Sequence, residues 1–133
     1  MLRSLFFLLL LAPCACAAQD GVFHILHNNK VLGTIDVLRV ADGDRVEYSM
    51  ISYSSFTHLW HQEVRTVART RYVASKVSAC LTTVHVNDAL RDSSVLTPIG
   101  GRGLYVVHPD RVYGAELPQN PWTTARMYYE EPV

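Results

Sequence analysis

The sequence predicts an all-β domain: an antiparallel curved sheet, built as an open barrel or a sandwich, with a short C-terminal helix. Two observations predict this class. Apolar and polar residues alternate along several runs, as in Arg45–Thr57, where Val46, Tyr48, Met50 and Phe56 share one parity. Turn-forming residues separate the runs at intervals of about 8–12 positions, which is typical of antiparallel sandwiches and barrels. Before residue 118 no segment keeps a helical period.

The strand candidates follow one another along the chain. Asp42-Gly43 is the clearest hairpin signal, because Asp-Gly adopts the turn whose twist matches that of its flanking strands. Asn28 and Asn29 tolerate left-handed backbone and also predict a turn. The predicted strands are residues 22–27, 31–40, 45–57, 64–73, 77–86 and 104–108, and the predicted breaks are residues 28–30, 41–44, 74–76, 87–88, 100–103 and 108–110.

The tail has a different pattern and predicts a short helix. Asn120 can cap it and Pro121 suits its first turn, and the helix would run to residue 129. Trp122, Ala125 and Tyr129 would share one helical face and could plug one end of the sheet. A last strand is the alternative, favoured by the Thr and Tyr content.

The N-terminal residues have the pattern of a secretory signal peptide. Arg3 is basic, residues 5–11 are an apolar run, and Ala15 and Ala17 give the small-x-small pattern of a cleavage site. The apolar run is too short to span a bilayer as a permanent helix. We therefore expect a signal peptide at residues 1–17, a single exported domain at residues 18–133, and location in the periplasm or outside the cell.

The three cysteines bear on export and anchoring. Cys14 and Cys16 each depart at one position from the pattern that precedes an acylated cysteine, so lipoprotein anchoring is less favoured than ordinary cleavage. Cys80 would be alone in the mature domain and could not form an internal disulfide. Its place in an alternating apolar run predicts a small buried residue.

Composition argues against some partners. Lys plus Arg and Asp plus Glu both total 12, and such a near-neutral chain lacks the positive charge that nucleic acid or acidic membrane surfaces attract. Arg65, Arg69 and Arg71 share one parity; they could hold an anionic ligand, but a charged outer face is the favoured reading. The opposite parity, with Thr66 and Ala68, lines either a cavity or a core.

No catalytic motif is present. The serines of residues 52–55 lack a nucleophile elbow, and the carboxylates that flank Gly43 suit a surface turn better than an acid–base pair. His58 and His61 could share a metal ion only across a turn, and zinc would need further ligands. A histidine site would require at least three side chains to converge among His24, His58, His61, His85 and His108. We predict no catalytic residue, metal or cofactor.

Four short motifs occur in order along the mature chain: VLGTI at residues 31–35, VNDALR at 86–91, GLYVV at 103–107 and YYEEP at 128–132. In this order they resemble an exported bacterial domain-of-unknown-function family, family six-one-three-four. The resemblance implies an exported β-rich domain with no established activity. Asp88 stands where that family has a turn glycine. Members of the family also continue past the last motif, so one expectation is a C-terminal truncation that leaves a sheet edge unpaired.

Three functional hypotheses follow. The first is a non-enzymatic envelope protein that binds an apolar or amphipathic ligand in its curved sheet, with Tyr48, Met50, Phe56 and Trp122 as candidate ligand-binding residues. The second is an interaction or structural module that binds an envelope protein through a sheet edge or aromatic surface. The third and least favoured is a metal-dependent enzyme that uses the histidines.

Overall fold

The computed structural model describes residues 17–107, 110–117 and 122–130, so the predicted signal peptide and its cysteines lie outside the described residues. The fold is one open, curved antiparallel sheet in which each strand pairs with the next along the chain. The predicted all-β class is confirmed, as a single sheet rather than a sandwich. The strands are β1 Ala17–His27, β2 Lys30–Asp42, β3 Arg45–Thr57, β4 His61–Val73, β5 Lys76–Val86, β6 Ala89–Ile99, β7 Arg102–Val107 and β8 Arg111–Glu116.

The sequence pattern predicts six of these strands and misses β6 and β8. Polar residues and Pro98 weaken the strand signal of β6, because proline lacks the N–H that a central strand donates. The sheet accommodates Pro98 because it lies beyond Leu96, which forms the last pair between β5 and β6. The strand β8 is short and is interrupted by Gly114, so its alternation is too brief to recognise.

The predicted hairpin turns are confirmed wherever they lie within the described residues. Asn28-Asn29, Asn87-Asp88 and Gly100-Gly101 all have positive φ, which Asn, Asp and Gly adopt at low cost. Ala74 and Ser75 adopt the same conformation, with φ values of 47° and 64°. Neither residue type favours left-handed backbone, so this turn stores strain.

The strand register gives the sheet one packed face, which we call the inner face. Val37, Met50 and Ala68 are directly paired neighbours on this face, and all three are buried. The next row towards the β2–β3 turn places Tyr48 beside Thr70, and both are also buried. The core therefore lies on the inner face of β2–β5, as period-2 alternation requires.

The C-terminal segment (residues 122–130) covers part of this face. The predicted helix is shorter than expected: the described residues contain a single 3-10 turn, Arg126–Tyr128, and the predicted cap and first-turn residues lie outside them. Ala125 is fully buried, at 0% exposure. The predicted plug is thus present as one turn that buries its small residue against the sheet.

Gly33 in β2 permits a close approach between strands. A Cβ atom added there would lie 2.0 Å from the carbonyl oxygen of Tyr53 and 2.7 Å from the Cα of Ser54. Both atoms belong to the backbone of β3 and cannot move without disturbing its pairing. The VLGTI motif therefore requires glycine at this position.

We expect Gly33→Ala to lower the free energy of unfolding by about 2 kcal/mol or more, because the added methyl group forces β2 and β3 apart. Gly114→Ala is the matched control, since its Cβ would meet no atom closer than 3.8 Å. Urea denaturation of both variants measures the difference. Equal stability of the two variants would contradict the steric role of Gly33.

We expect Ser75→Gly to raise the free energy of unfolding by about 0.5–1 kcal/mol, because glycine adopts the positive φ of this turn without strain. Ser75→Ala retains the Cβ atom and should leave stability unchanged within about 0.5 kcal/mol. Thermal denaturation compares the two. A gain in both variants would show that the hydroxyl, rather than the backbone conformation, is unfavourable.

Candidate functional site

The inner face is divided into a covered and an uncovered part. The C-terminal segment packs over its lower part, near the β2–β3 and β4–β5 turns, where the buried rings of Tyr48 and Tyr72 lie. Tyr129 packs on Tyr48 with ring centroids 5.7 Å apart, and Tyr128 packs on Phe23 at 5.2 Å. These aromatic contacts hold the segment on the sheet.

A polar cluster reinforces this cover. Glu130 accepts a hydrogen bond from the Tyr48 hydroxyl, and its other carboxylate oxygen accepts hydrogen bonds of 2.9 and 2.6 Å from the Arg126 guanidinium. Arg126 also lies over the rings of Trp122 and Tyr72, at 4.3 and 5.1 Å from their centroids. One guanidinium thus connects a carboxylate and two aromatic rings, so the cluster positions the segment.

The cluster shifts the pKa values of its members. The hydrogen bond from Tyr48 holds the pKa of Glu130 below its usual value of 4.5, and Arg126 acts in the same direction against the effect of burial. Burial raises the pKa of Tyr48 above 10.0, and the hydrogen bond to Glu130 adds to this effect. The neutral tyrosine and ionised glutamate are therefore the favoured pair.

A shallow pocket of about 410 Å³ opens beside this cluster. It lies between the C-terminal segment and the two lower turns, with Arg39, Asp44 and Ala74 on its rim. Of its four charged lining residues, Arg126 and Glu130 form an ion pair with an N–O distance of 2.6 Å, and Arg39 lies over the Tyr48 ring. The lining is therefore better explained as part of the segment's anchoring than as a ligand site.

The upper part of the inner face, which we call the open inner face, meets the C-terminal segment only at its β1–β2 edge, where Tyr128 packs on Phe23 opposite Ile35. Its first row pairs Ile35 with Ser52, Ser52 with Thr66 and Thr66 with Val84. These four side chains are half-buried, whereas the next row towards the lower turns is buried at Val37, Met50 and Ala68. The open inner face on β2–β5 consists of Ile35, Ser52, Ser54, Phe56, Gln62, Val64, Thr66, Thr82, Val84 and Val86.

Charge separates the two faces of the central strands. Every charged residue of β3, β4 and β5 lies on the outer face by the register of the sheet. The predicted arginine face is confirmed, since Arg65, Arg69 and Arg71 are all exposed there, and Arg71 pairs with Glu47 at 2.9 Å. The open inner face of these strands carries only apolar, hydroxyl and amide side chains. The nearest charge on the inner face is Asp92 of β6, which pairs with Val84. The surface within β3–β5 is suited to the uncharged part of a molecule.

The structure does not bring the four predicted ligand-binding residues together in one cavity. Tyr48 and Met50 lie in the core beneath or beside the C-terminal segment. Phe56 shares their face but lies near the opposite end of β3, and Trp122 lies against Arg126 within the segment. Sequence parity placed the first three on one face correctly. It could not indicate that the tail would cover only the part near Tyr48.

The residues that sequence reasoning passed over are the hydroxyl side chains of the open inner face. Ser52 and Ser54 have the composition of a solvent face, yet they share the parity of Met50. The only sequence signal for this surface was the alternation of Thr66 with the arginines of β4. The face of β4 that carries Thr66 was predicted to line a cavity or a core. On this strand the structure shows a core at Ala68 and Tyr72, whereas Thr66 is half-buried on an open surface rather than in a cavity.

One histidine contacts both a hydroxyl and a carboxylate group. In His61, Nδ1 lies 3.3 Å from Thr57 Oγ1, and Nε2 lies 3.2 Å from Glu63 Oε1 and 3.5 Å from Ser55 Oγ. The order hydroxyl–imidazole–carboxylate occurs in catalytic triads, but a triad carboxylate is buried to orient its imidazole. Here the His61 and Glu63 side chains are 58% and 44% exposed, so this cluster lacks the buried carboxylate of a triad.

The cluster does affect its carboxylate. The hydrogen bond with His61 lowers the pKa of Glu63, and Tyr53 adds to this effect; the same carboxylate raises the pKa of Tyr53. All three side chains lie on the outer face by register. The arrangement is a polar network on the surface of the β3–β4 hairpin.

The remaining candidates do not converge. Within the described ranges, no three side chains of His, Cys, Asp or Glu come together as a metal site, and His108 lies outside those ranges. Cys80 is half-buried and accepts a 3.4 Å hydrogen bond from Thr70 Oγ1. It packs against the core, as predicted, although its burial is incomplete.

Comparison with known proteins gives no further identification: no family model, curated protein or solved structure matches this chain. The resemblance to an exported domain family therefore stays a prediction.

We expect Glu130→Gln to make the free energy of unfolding less dependent on pH in the acid range. Because the pKa of Glu130 is lowered in the folded chain, its contribution is present above about pH 4.5 and is lost as pH falls through the folded value. Urea denaturation between about pH 3 and 7 measures the slope. Tyr48→Phe removes the main cause of the lowered pKa of Glu130, so it should also reduce the dependence of stability on pH in the acid range.

The double variant Tyr48→Phe, Glu130→Gln tests whether the Tyr48–Glu130 hydrogen bond causes this pH dependence. If the Tyr48–Glu130 hydrogen bond is the coupling, the double variant should be little less stable than either single variant at pH 7. Fully additive losses would contradict the coupling.

Proposed function

We propose that this chain is a non-enzymatic, exported envelope protein that binds an apolar or amphipathic small molecule on the open inner face. The observation that carries the proposal is the separation of charge across β3–β5. On these three strands the outer face holds the charged groups, while the open inner face presents an uncharged and largely half-buried surface that is bounded at β6 by Asp92.

The side chains define the chemistry of the ligand. Val64 and Val84 offer apolar contact, with Ile35 at the edge next to the core. Thr66 and Thr82 add hydroxyl groups that can each donate one hydrogen bond and accept others. The part of the ligand that lies on this face should therefore be uncharged and largely apolar. A long alkyl chain that carries a hydroxyl or ester group matches this surface.

Export rests on the sequence. The signal-peptide pattern of residues 1–17 and the resemblance to an exported family both support a periplasmic or extracellular location. No helix in the described part of the chain has the length and apolarity to cross a membrane.

A second candidate function is an interaction module that binds an envelope protein. The register aligns Leu81, Val95, Val106 and Val112 as an apolar row across β5–β8 on the outer face. The small side chain of Ala79 leaves a groove of about 360 Å³ beside this row. The row ends at β8, an edge strand whose backbone can pair with an added strand.

We expect Val84→Arg to weaken binding of a fluorescent long-chain fatty acid by about tenfold or more, because the guanidinium places charge and bulk on the open inner face. Thr83→Arg is the matched control, since the neighbouring residue on β5 faces the arginine-bearing outer side. Fluorescence titration measures both affinities. Equal losses, or no loss in Val84→Arg, would contradict the assigned face.

Native mass spectrometry of the chain isolated from its own compartment tests the class of function directly. A non-covalent adduct that is absent after denaturation, and absent from Val84→Arg, is the expected result. A bare chain together with a co-purifying protein that Val95→Arg removes would favour the interaction module.

A further inference from the structure

The β3–β4 hairpin continues beyond its last pairs with β2 and β5, as the adjacent β2 continues three residues past Gly33 to Lys30. Its last pairs with β2 and β5 are Gly33 with Ser54 and Val64 with Val86. Three more pairs of the hairpin follow and end with Thr57 opposite His61. At about 3.4 Å per residue, the hairpin projects roughly 10 Å past those last pairs.

The tip of this hairpin is apolar and exposed. Leu59 is 79% exposed, more than any other large apolar residue of the described chain, and Trp60 is 62% exposed. The adjoining tip residue is His58, and His61 begins β4, so residues 58–61 contain no acidic side chain. The nearest carboxylate, Glu63, is occupied by hydrogen bonds with His61 and Tyr53.

We propose that this hairpin tip docks the protein on a lipid bilayer surface by inserting Leu59 and Trp60 into the headgroup–acyl boundary. Tryptophan combines a large apolar ring with an N–H donor, which suits it to that boundary. Shallow insertion needs only a few apolar side chains on a projecting element, whereas a stable protein interface buries about 800 Å² per partner. The few exposed apolar side chains at this end, Leu59 and Trp60 with Leu26 and Val31 of the β1–β2 hairpin, fit the first requirement and fall short of the second.

The position of the tip would bring a docked bilayer next to the open inner face. The inner side of the same hairpin carries Phe56, which continues into Ser54 and Val64 on the open inner face. The covered part of the sheet, with its C-terminal segment, lies at the opposite end. A bilayer at the tip would therefore adjoin the uncharged surface rather than the closed core.

The composition of the chain predicts the character of this docking. Because basic and acidic residues are equal in number, attraction to anionic lipid should contribute little. Binding should be reversible, should occur on zwitterionic vesicles, and should change little with salt.

The test is flotation of the exported chain with phosphatidylcholine vesicles, after its mass has shown that the N-terminal apolar run is absent. The double variant Leu59→Ser, Trp60→Ser should lower the vesicle-bound to free ratio by about tenfold or more. Ile99→Ser is the matched control: Ile99 is 60% exposed, but it adjoins the β6–β7 turn at the opposite end of the sheet. This control should bind vesicles as the native chain does.

Trp60 also reports its own position. In a Trp122→Phe background, Trp60 is the remaining indole of the exported chain. Its emission should shift to the blue with vesicles, and brominated acyl chains should quench it. Failure of the native chain to float, equal loss in Ile99→Ser, or unquenched Trp60 would each overturn the proposal.

Docking and ligand binding can fail separately. Val84→Arg should lose the fatty acid and still float, and the tip variant should retain the fatty acid and no longer float. Concentration-dependent dimerisation that the tip substitutions abolish, in the absence of flotation, would overturn lipid docking in favour of a second copy of the chain.

Discussion

A single sheet cannot bury one of its faces without a second layer, and in this chain the described second layer is the C-terminal segment. Nine residues carry that task, with the fully buried Ala125 at their centre. A small side chain at this position lets the segment backbone approach the sheet closely. Tyr128, Tyr129 and Arg126 then secure the segment on either side by ring packing and by the hydrogen bonds to Glu130.

The shortness of that segment shapes the rest of the molecule. One 3-10 turn covers the lower rows of the inner face, so Tyr48 and Met50 become core, while Ser52 and Ser54 on the same strand remain half-buried. The change from buried aromatic to half-buried hydroxyl along β3 follows the limit of the cover. Core and candidate binding surface are therefore adjacent parts of one face.

The two ends of the sheet also differ in how far they are covered and in the contacts they make. The lower end has the strained Ala74-Ser75 turn, whose Ala74 N–H donates a 2.9 Å hydrogen bond to the backbone oxygen of Asp44 in the neighbouring turn. The upper end has the projecting β3–β4 hairpin and its exposed Leu59 and Trp60. The buried core contacts of the C-terminal segment therefore lie at the lower end, and the most exposed apolar side chain, Leu59, lies at the upper end.

The amino-acid sequence alone determined the strand and turn pattern, because alternation and turn chemistry are local properties. The faces of β3 and β4, the Asn-Asn and Asp-Gly turns, and the outward arginines all follow from this local pattern. It did not reveal β6, where Pro98 weakens the strand signal; the sheet accommodates this proline beyond Leu96, where the pairing of β6 with β5 ends. Only the tertiary structure decided which part of the inner face is core. That decision depends on where residues 122–130 pack, a contact between distant parts of the chain that no local pattern encodes. For the same reason the four predicted ligand-binding residues are separated: Tyr48 and Met50 lie in the core, Phe56 lies on the β3–β4 hairpin, and Trp122 lies in the C-terminal segment. The surface around Thr66 and Val84 becomes visible only when the register of the strands is known.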